Sequence, residues 1–269
     1  MATATEGRVR QARVNPMALS GRTIIVTGAA QGIGLAVSTL IADLGGNVAA
    51  VDMNEAGLAA LRETLGADRV VTAVGSVADP DLAPRVIAGA AEAFGAVHGL
   101  VNNAGVSRPA MLTKMEMADW KTVLDTHLTG SFLFMQAYGR YAAECFKAGQ
   151  KLDGAIVNIS SDAGTGGTIG QINYAAAKSG LLGATMSAAK ELAKYNVRAN
   201  TVSFGVVETP MTETIRGEKF RDTYLSRIPL NRWSSPEEAA RPICFLLSPA
   251  ASFITGQRLS ANGGSQMTL

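Results

Sequence analysis

The chain has 269 residues, 47% of them apolar, which is ample for one well-buried core and excludes general disorder. Lys and Arg total 24 against 22 Asp and Glu, and this dispersed net charge of +2 excludes the electrostatic footprint of a nucleic-acid binder. Cys145, Cys244, His98 and His127 make neither a disulfide framework nor a metal-ligand cluster, and no run reaches the roughly 18 apolar residues of a membrane span, so a metal-free cytoplasmic protein is expected.

Residues 1–19 carry Arg8, Arg10 and Arg13 without an apolar stretch and read as a flexible tail in preference to a targeting peptide. From residue 20 short apolar runs alternate with longer helical periods, the pattern of βαβ units around a parallel sheet. The first strand, 22–27, runs into Thr27-Gly28-Ala29-Ala30-Gln31-Gly32-Ile33-Gly34 and a helix over 32–44. Glycines there let the backbone approach a pyrophosphate, which the free N–H groups and positive dipole end of the helix favour. The second strand, 47–52, ends in Asp52, where such a fold presents an acid to the adenosine ribose hydroxyls. Helices over 54–65 and 79–94 flank a third strand, 70–74. A fourth strand, 97–102, precedes a helix over 118–147. The fifth, 155–160, ends beside Ser161, at the carboxyl edge where open sheets bind ligands.

The helix over 172–194 places Tyr174 and Lys178 four residues apart on one face. A Tyr with a pKa near 10 is a poor acid at neutral pH. A Lys ammonium about 4 Å away supplies energy of the order needed to lower it by about three units. A sixth strand, 198–203, a segment over about 208–230 that reads as a substrate lid, a helix over 236–247 and a strand over 258–261 complete the chain. The expectation is one α/β domain over 20–269: a doubly wound Rossmann fold with a seven-stranded, mostly parallel sheet and helices on both faces.

The glycine spacing, Asn102-Asn103-Ala104-Gly105, the set Ser161, Tyr174 and Lys178, Ile254-Thr255-Gly256 and Asn262-Gly263-Gly264 together resemble the short-chain dehydrogenase/reductase family, single-domain type, over about residues 20–266. The resemblance implies that Tyr174 exchanges a proton with the substrate oxygen while hydride passes to or from nicotinamide. Lys178 would also hold the nicotinamide ribose, and Ser161 would orient the substrate. It puts the dinucleotide against Gly28, Gln31, Gly32, Ile33, Gly34, Asp52, Ser76, Val77, Asn103, Ala104, Gly105, Gly205, Val207 and Thr209, besides Tyr174 and Lys178. The implied substrate residues are Ser161, Ala163, Thr165, Val206, Met211, Ile215 and Trp233.

Three positions depart from the family pattern. His127 stands where an Asn holds a relay water, Phe204-Gly205 replaces Pro-Gly, and Ser76-Val77 replaces Asp-Val. His127 reads either as a relay member or as a packed core histidine. As a relay member it would give the rate an acid limb with an apparent pKa of about 6 to 7.5. By the same resemblance the helix bearing Phe132-Leu133-Phe134-Met135 and the helix bearing Tyr174 form the interface of a homotetramer.

The expected activity is NAD-dependent interconversion of a secondary alcohol and a ketone of small to medium size and largely uncharged character. Asp52 would repel the 2'-phosphate of NADP, and neither Gln31 nor Met53 compensates. A 3-oxoacyl-[acyl-carrier-protein] reductase is the alternative, although Lys147, Lys151 and Tyr195 offer an acidic carrier few cations. A regulatory pseudoenzyme that binds dinucleotide, suggested by His127 and Phe204, has the intact Ser161, Tyr174 and Lys178 against it.

Overall fold

Strand residues alternate their side chains between two faces, and here both faces are apolar. The computed structural model describes residues 15–267. It pairs seven strands in the order β3-β2-β1-β4-β5-β6-β7, and every pairing is parallel. These are β1 (Thr23–Thr27), β2 (Asn47–Asp52), β3 (Val70–Val74), β4 (Gly99–Asn102), β5 (Gly154–Ser161), β6 (Val197–Phe204) and β7 (Arg258–Ala261). Ile24 and Val26 of β1 pack to one side with Val37 and Ile41 of α1 (Gly32–Asp43), Leu58 of α2 (Glu55–Leu65) and Ile243 of a late helix (Pro236–Leu247). Ile25, between them in sequence, packs to the other side with Val86 of α3 (Leu82–Phe94) and Phe134 and Tyr138 of a central helix. The sheet is thus covered on both faces, as two-faced apolar strands require.

The helix expected over 118–147 is interrupted. Helix α4 (Met117–Leu124) passes through a π-helical turn at Asp125–Thr129 into α5 (Gly130–Lys147). His127 lies in that turn. Short helix α6 (Ala163–Gly166) follows β5, and α7 (Ile172–Leu192) carries Tyr174 and Lys178. The segment read as a lid holds two short helices, α8 (Glu213–Arg216) and α9 (Glu218–Leu225), before the late helix, α10 (Pro236–Leu247). Ser235 and Glu238 cap α10 reciprocally, each side chain bonding the other's backbone N–H. No helix among the described residues is long and apolar enough to cross a membrane.

The tail expected over residues 1–19 falls mostly outside the described residues, and its last four are docked. Pro16 O accepts from Ala250 N at 2.9 Å, Leu19 N donates to Leu44 O at 2.8 Å, and the Leu19 side chain is fully buried against the α1 side of the sheet. The domain therefore begins a few residues before 20. Leu19→Ala should lower unfolding stability by about 2 to 4 kcal/mol, the usual cost of truncating a buried leucine, as read from urea denaturation. A loss under about 0.5 kcal/mol would make this contact incidental.

Candidate active site

Strand order reverses between β1 and β4, and the chain leaves their carboxyl ends in opposite directions, opening a crevice there. Thr27 and Asn103 join its walls. Thr27 Oγ1 accepts from the backbone N of Asn103 (3.0 Å) and of Ala104 (3.1 Å), while Asn103 Nδ2 donates to the carbonyls of Thr27 (2.9 Å) and Gly28 (3.1 Å). The turn from β1 comes so close to the loop after β4 that a Cβ on Gly28, whose φ is +67°, would meet Ala104 Cα at 2.9 Å. On Gly34 a Cβ would lie 1.9 Å from Gly28 O. At the start of α1, Gln31 gives no side-chain cap and the first turn holds no acid, so its N–H groups remain available to an anion.

A cleft of about 320 Å³ runs from this turn. Gly28, Gln31, Gly32, Ile33, Asp52, Ser76, Val77, Asn103, Ala104, Gly105 and Thr209 line it, with His127, Tyr174, Lys178 and Met211. Gly34 sits behind the turn. Both oxygens of Asp52 are fixed by backbone amides, Oδ2 by Ala30 N and Oδ1 by Asn54 N, each at 3.0 Å. The uncapped helix start, the glycine cradle and this anchored carboxylate fit a dinucleotide: pyrophosphate at α1, ribose hydroxyls at Asp52.

At the other wall, Asn173 is fully buried and sets the first turn of α7. Its Oδ1 accepts from Tyr174 N (2.8 Å) and its Nδ2 donates to Arg108 O (3.0 Å), tying α7 to the loop after β4. The Ser161 hydroxyl neighbours that of Tyr174 and is able to bond it, and its Oγ accepts from Ala163 N at 3.2 Å. Burial raises the Tyr174 pKa, and the Ser161 bond pulls it partly back. Lys178 Nζ donates to Ile159 O at 2.6 Å and stands 5.5 Å from the Tyr174 ring centre. Burial pulls the Lys178 amine down to about 7. In the free site, then, desolvation outweighs the lowering of Tyr174 expected from its lysine neighbour.

His127 is 2% exposed, edge-on to Tyr174 with ring centres 5.1 Å apart. Its Nε2 lies 2.8 Å from Val106 O and 3.0 Å from Val106 N, so this ring atom either donates to the carbonyl or accepts from the amide, according to the tautomer. With the proton on Nε2 directed to that carbonyl, Nδ1 is a bare lone pair, buried without a partner among the described residues. Gly105 makes room for the ring: a Cβ there would lie 2.2 Å from His127 Cε1. Desolvation first, then the positive field of Lys178, pushes the His127 pKa down to about 3, against a smaller rise from the Val106 bond. This overturns the expectation of an acid limb at pH 6 to 7.5. His127 stays neutral there.

Other expected residues lie elsewhere. Val207 is buried in the core beside β6. Gly205, Val206 and Trp233 line a second cavity of about 330 Å³, between the base of α10 and β7. Ala163 is buried, Thr165 turns to the C-terminal segment, and Ile215 lies half-buried on α8. Of the expected substrate set only Met211 lines the cleft, while Ser161 reaches it through Tyr174. The sequence reading overlooked Val106, which acts only through its backbone, and Asp162, whose charge beside Ser161 in a loop of small residues was the available signal.

The profile of a family described as enoyl-(acyl carrier protein) reductase matches residues 28–266. The 3-oxoacyl-[acyl-carrier-protein] reductase FabG of Thermotoga maritima is 42% identical over 250 residues, 92% of this chain and 99% of that one. The chain belongs to the short-chain dehydrogenase/reductase family. Another relative in this family, the acetoacetyl-CoA reductase of Synechocystis, is 36% identical over 92% of this chain and 97% of its own. The crystal structure of a short-chain dehydrogenase/reductase from Brucella melitensis, titled glucose/ribitol dehydrogenase, superposes with a TM-score of 0.86 at 33% identity, covering 93% of this chain and 98% of that one. Membership makes this protein an oxidoreductase of the type that uses a nicotinamide dinucleotide.

Because His127 takes up a proton only towards pH 3 whereas an unfolded histidine does so near 6.5, its ring signals should stay constant from pH 9 to 5 by NMR. The His127→Asn variant should keep the acid limb of the parent enzyme. A ring titration between pH 6 and 7.5 would reject this assignment.

Proposed function

We propose that this protein reduces a ketone to a secondary alcohol with NAD(H), and that the ketone is the 3-oxo group of an acyl thioester. The observation that carries the reading is a single cleft bearing the glycine turn, the anchored Asp52, Tyr174 and Lys178. The thioester rests on the printed names of relatives, which are reductases of 3-oxoacyl carrier protein and acetoacetyl-CoA. That substrate, the alternative in the sequence reading, is better supported than an unspecified small ketone. The acidic carrier has less support: Lys147 is paired with Glu144 at 2.9 Å, and Tyr195 packs on Phe146.

When bound, the dinucleotide supplies the hydride. Gly28, Gly32 and the start of α1 hold its pyrophosphate, and Asp52 its ribose hydroxyls. Tyr174, kept protonated by burial, is suited to donate its proton to the carbonyl oxygen, and Ser161 holds that oxygen by a hydrogen bond. Lys178 keeps α7 against β5 through Ile159 O and provides an amine close enough to neutral pH to re-protonate the tyrosine. A 2'-phosphate would face the fixed Asp52 carboxylate, and the only cation lining the cleft among the described residues, Lys178, is on the far wall. Repulsion of about 2 to 4 kcal/mol at an effective dielectric near 20 corresponds to roughly 30-fold to 1000-fold discrimination.

Phe132 and Phe146 of α5 and Met186 of α7 are each about half exposed, on helices that already cover the sheet. They support assembly through these helices, as a symmetric tetramer.

With acetoacetyl-CoA as substrate, NADH should exceed NADPH in kcat/KM by at least about 30-fold, and Tyr174→Phe should lower kcat at least about 100-fold with little change in NADH affinity. Equal use of both coenzymes, or a Phe variant at half activity, would defeat the reading. Light scattering at micromolar concentration should give the mass of four chains, and a monomer would reject the assembly.

A further inference from the structure

The end of β5, which carries Ser161, and the turn after it are gripped from two sides. On one side they rest on α7: Ser160 Oγ donates to Lys178 O at 2.9 Å, and a Cβ on Gly164 would lie 2.8 Å from the Lys178 carbonyl carbon. On the other side stands the end of the chain, after β7. Asp162 Oδ1 accepts from Asn262 Nδ2 at 2.9 Å, and Oδ2 accepts from Ser265 Oγ at 2.6 Å. Thr165 Oγ1 donates to Gln266 Oε1 at 2.5 Å, and a Cβ on Gly166 would meet Gln266 Nε2 at the same distance. Asn262 also closes its own turn, its Nδ2 donating to Gln266 O (2.9 Å) and its Oδ1 accepting from Gly264 N (3.0 Å).

We infer that Asp162 is a positioning residue, and that with Asn262, Ser265 and Gln266 it forms a clamp by which the C-terminal segment holds Ser161 at hydrogen-bond reach of Tyr174. First, Ser161 and Asp162 are adjacent, and the backbone N of Asp162 is fixed to Phe204 O at 2.9 Å, so a carboxylate held at both oxygens leaves the intervening peptide little freedom. Second, hydrogen bonds to a charged acceptor are stronger than neutral ones, and this carboxylate receives two from one short segment. Third, the residues that follow, Ala163 to Gly167, include three glycines and form only the single short turn of α6, so anchoring by the C-terminal segment adds to what the turn itself supplies. Without the clamp Ser161 would sample positions out of reach of the reacting oxygen.

This inference rests on the proposed role of Ser161 in ketone reduction, so its test has one readout that does not depend on activity. In Asp162→Ala, amide hydrogen exchange should accelerate at least about tenfold over residues 161–167 and stay unchanged over the turn between β1 and α1. With acetoacetyl-CoA and NADH, kcat should fall about tenfold to a hundredfold, the order of loss from misplacing a reacting group by about 1 Å, while NADH affinity changes less than about twofold. Asp162→Asn keeps the acceptor for Asn262 and can donate to Ser265, and should restore most of kcat. Ser265→Ala, milder and safe for folding, should show a smaller loss of the same kind. Unaltered exchange over 161–167 in both Asp162→Ala and Ser265→Ala would overturn the clamp. So would a loss of kcat matched by an equal loss of NADH affinity, which a general structural defect would give. If the parent protein does not reduce the ketone, the proposed function fails while the exchange data still decide the clamp.

Discussion

The reciprocal bonds of Thr27 and Asn103 are the constraint on which the site depends. They join the carboxyl ends of β1 and β4 where the sheet's connections diverge, adding side-chain bonds at the crevice to the ladder and helix packing that hold the two βαβ halves together. The close approach of Gly28 to Ala104 follows from that join, and Gly105 and Val106, next along the same loop, then meet the His127 ring. One pair of short polar side chains thus registers the nucleotide turn against the wall that bears Tyr174.

A second constraint runs beneath the chemistry. Asn102 Nδ2 donates to Asn158 Oδ1, Asn158 Nδ2 to Thr185 Oγ1, and Thr185 Oγ1 bonds Thr201 Oγ1, each at 2.8 Å, linking β4, β5, α7 and β6 through buried side chains. Such a chain is favourable only when every member is satisfied, which makes it intolerant of sliding between α7 and the sheet. It keeps α7 in register while that helix carries a costly group. An unfolded lysine binds its proton below about 10.5 and buried Lys178 only below about 7, so stability is given up as pH falls between these values and stays at that lower level below them. The protein tolerates a destabilising residue at the site proposed for its reaction.

Strands β2 and β3 were legible to the residue, and β1 to within one residue, because apolar runs bounded by glycine and charge leave no other reading. The glycine turn, Asp52, Tyr174 and Lys178 were legible for a similar reason: each depends on spacing within one element or on the end of a strand. Legibility failed where long-range geometry decides. The periodicity over 118–147 is helical throughout, so the π-turn left no mark in it. Val206 and Trp233 follow the strand end that should line a substrate pocket, yet the path of the chain after Phe204 turns them to a different cavity. The titration of His127 was misjudged because burial among apolar groups, invisible from its neighbours in sequence, outweighs its ordinary tendency to bind a proton.

The π-turn at Asp125–Thr129 has a consequence for how this chain can vary. A turn closed by i to i+5 bonds holds one residue more than an α-turn, so the faces of α4 and α5 are offset by about 100° from those of one continuous helix. Removing any single residue from the turn would restore helical regularity, and local backbone energy favours that. It would also swing Phe134 and Tyr138 away from the sheet, or else swing His127 away from Gly105, because the two are fixed on opposite sides of the offset. The extra residue is therefore held from two sides, by the core packing of α5 and by the imidazole seated at Gly105.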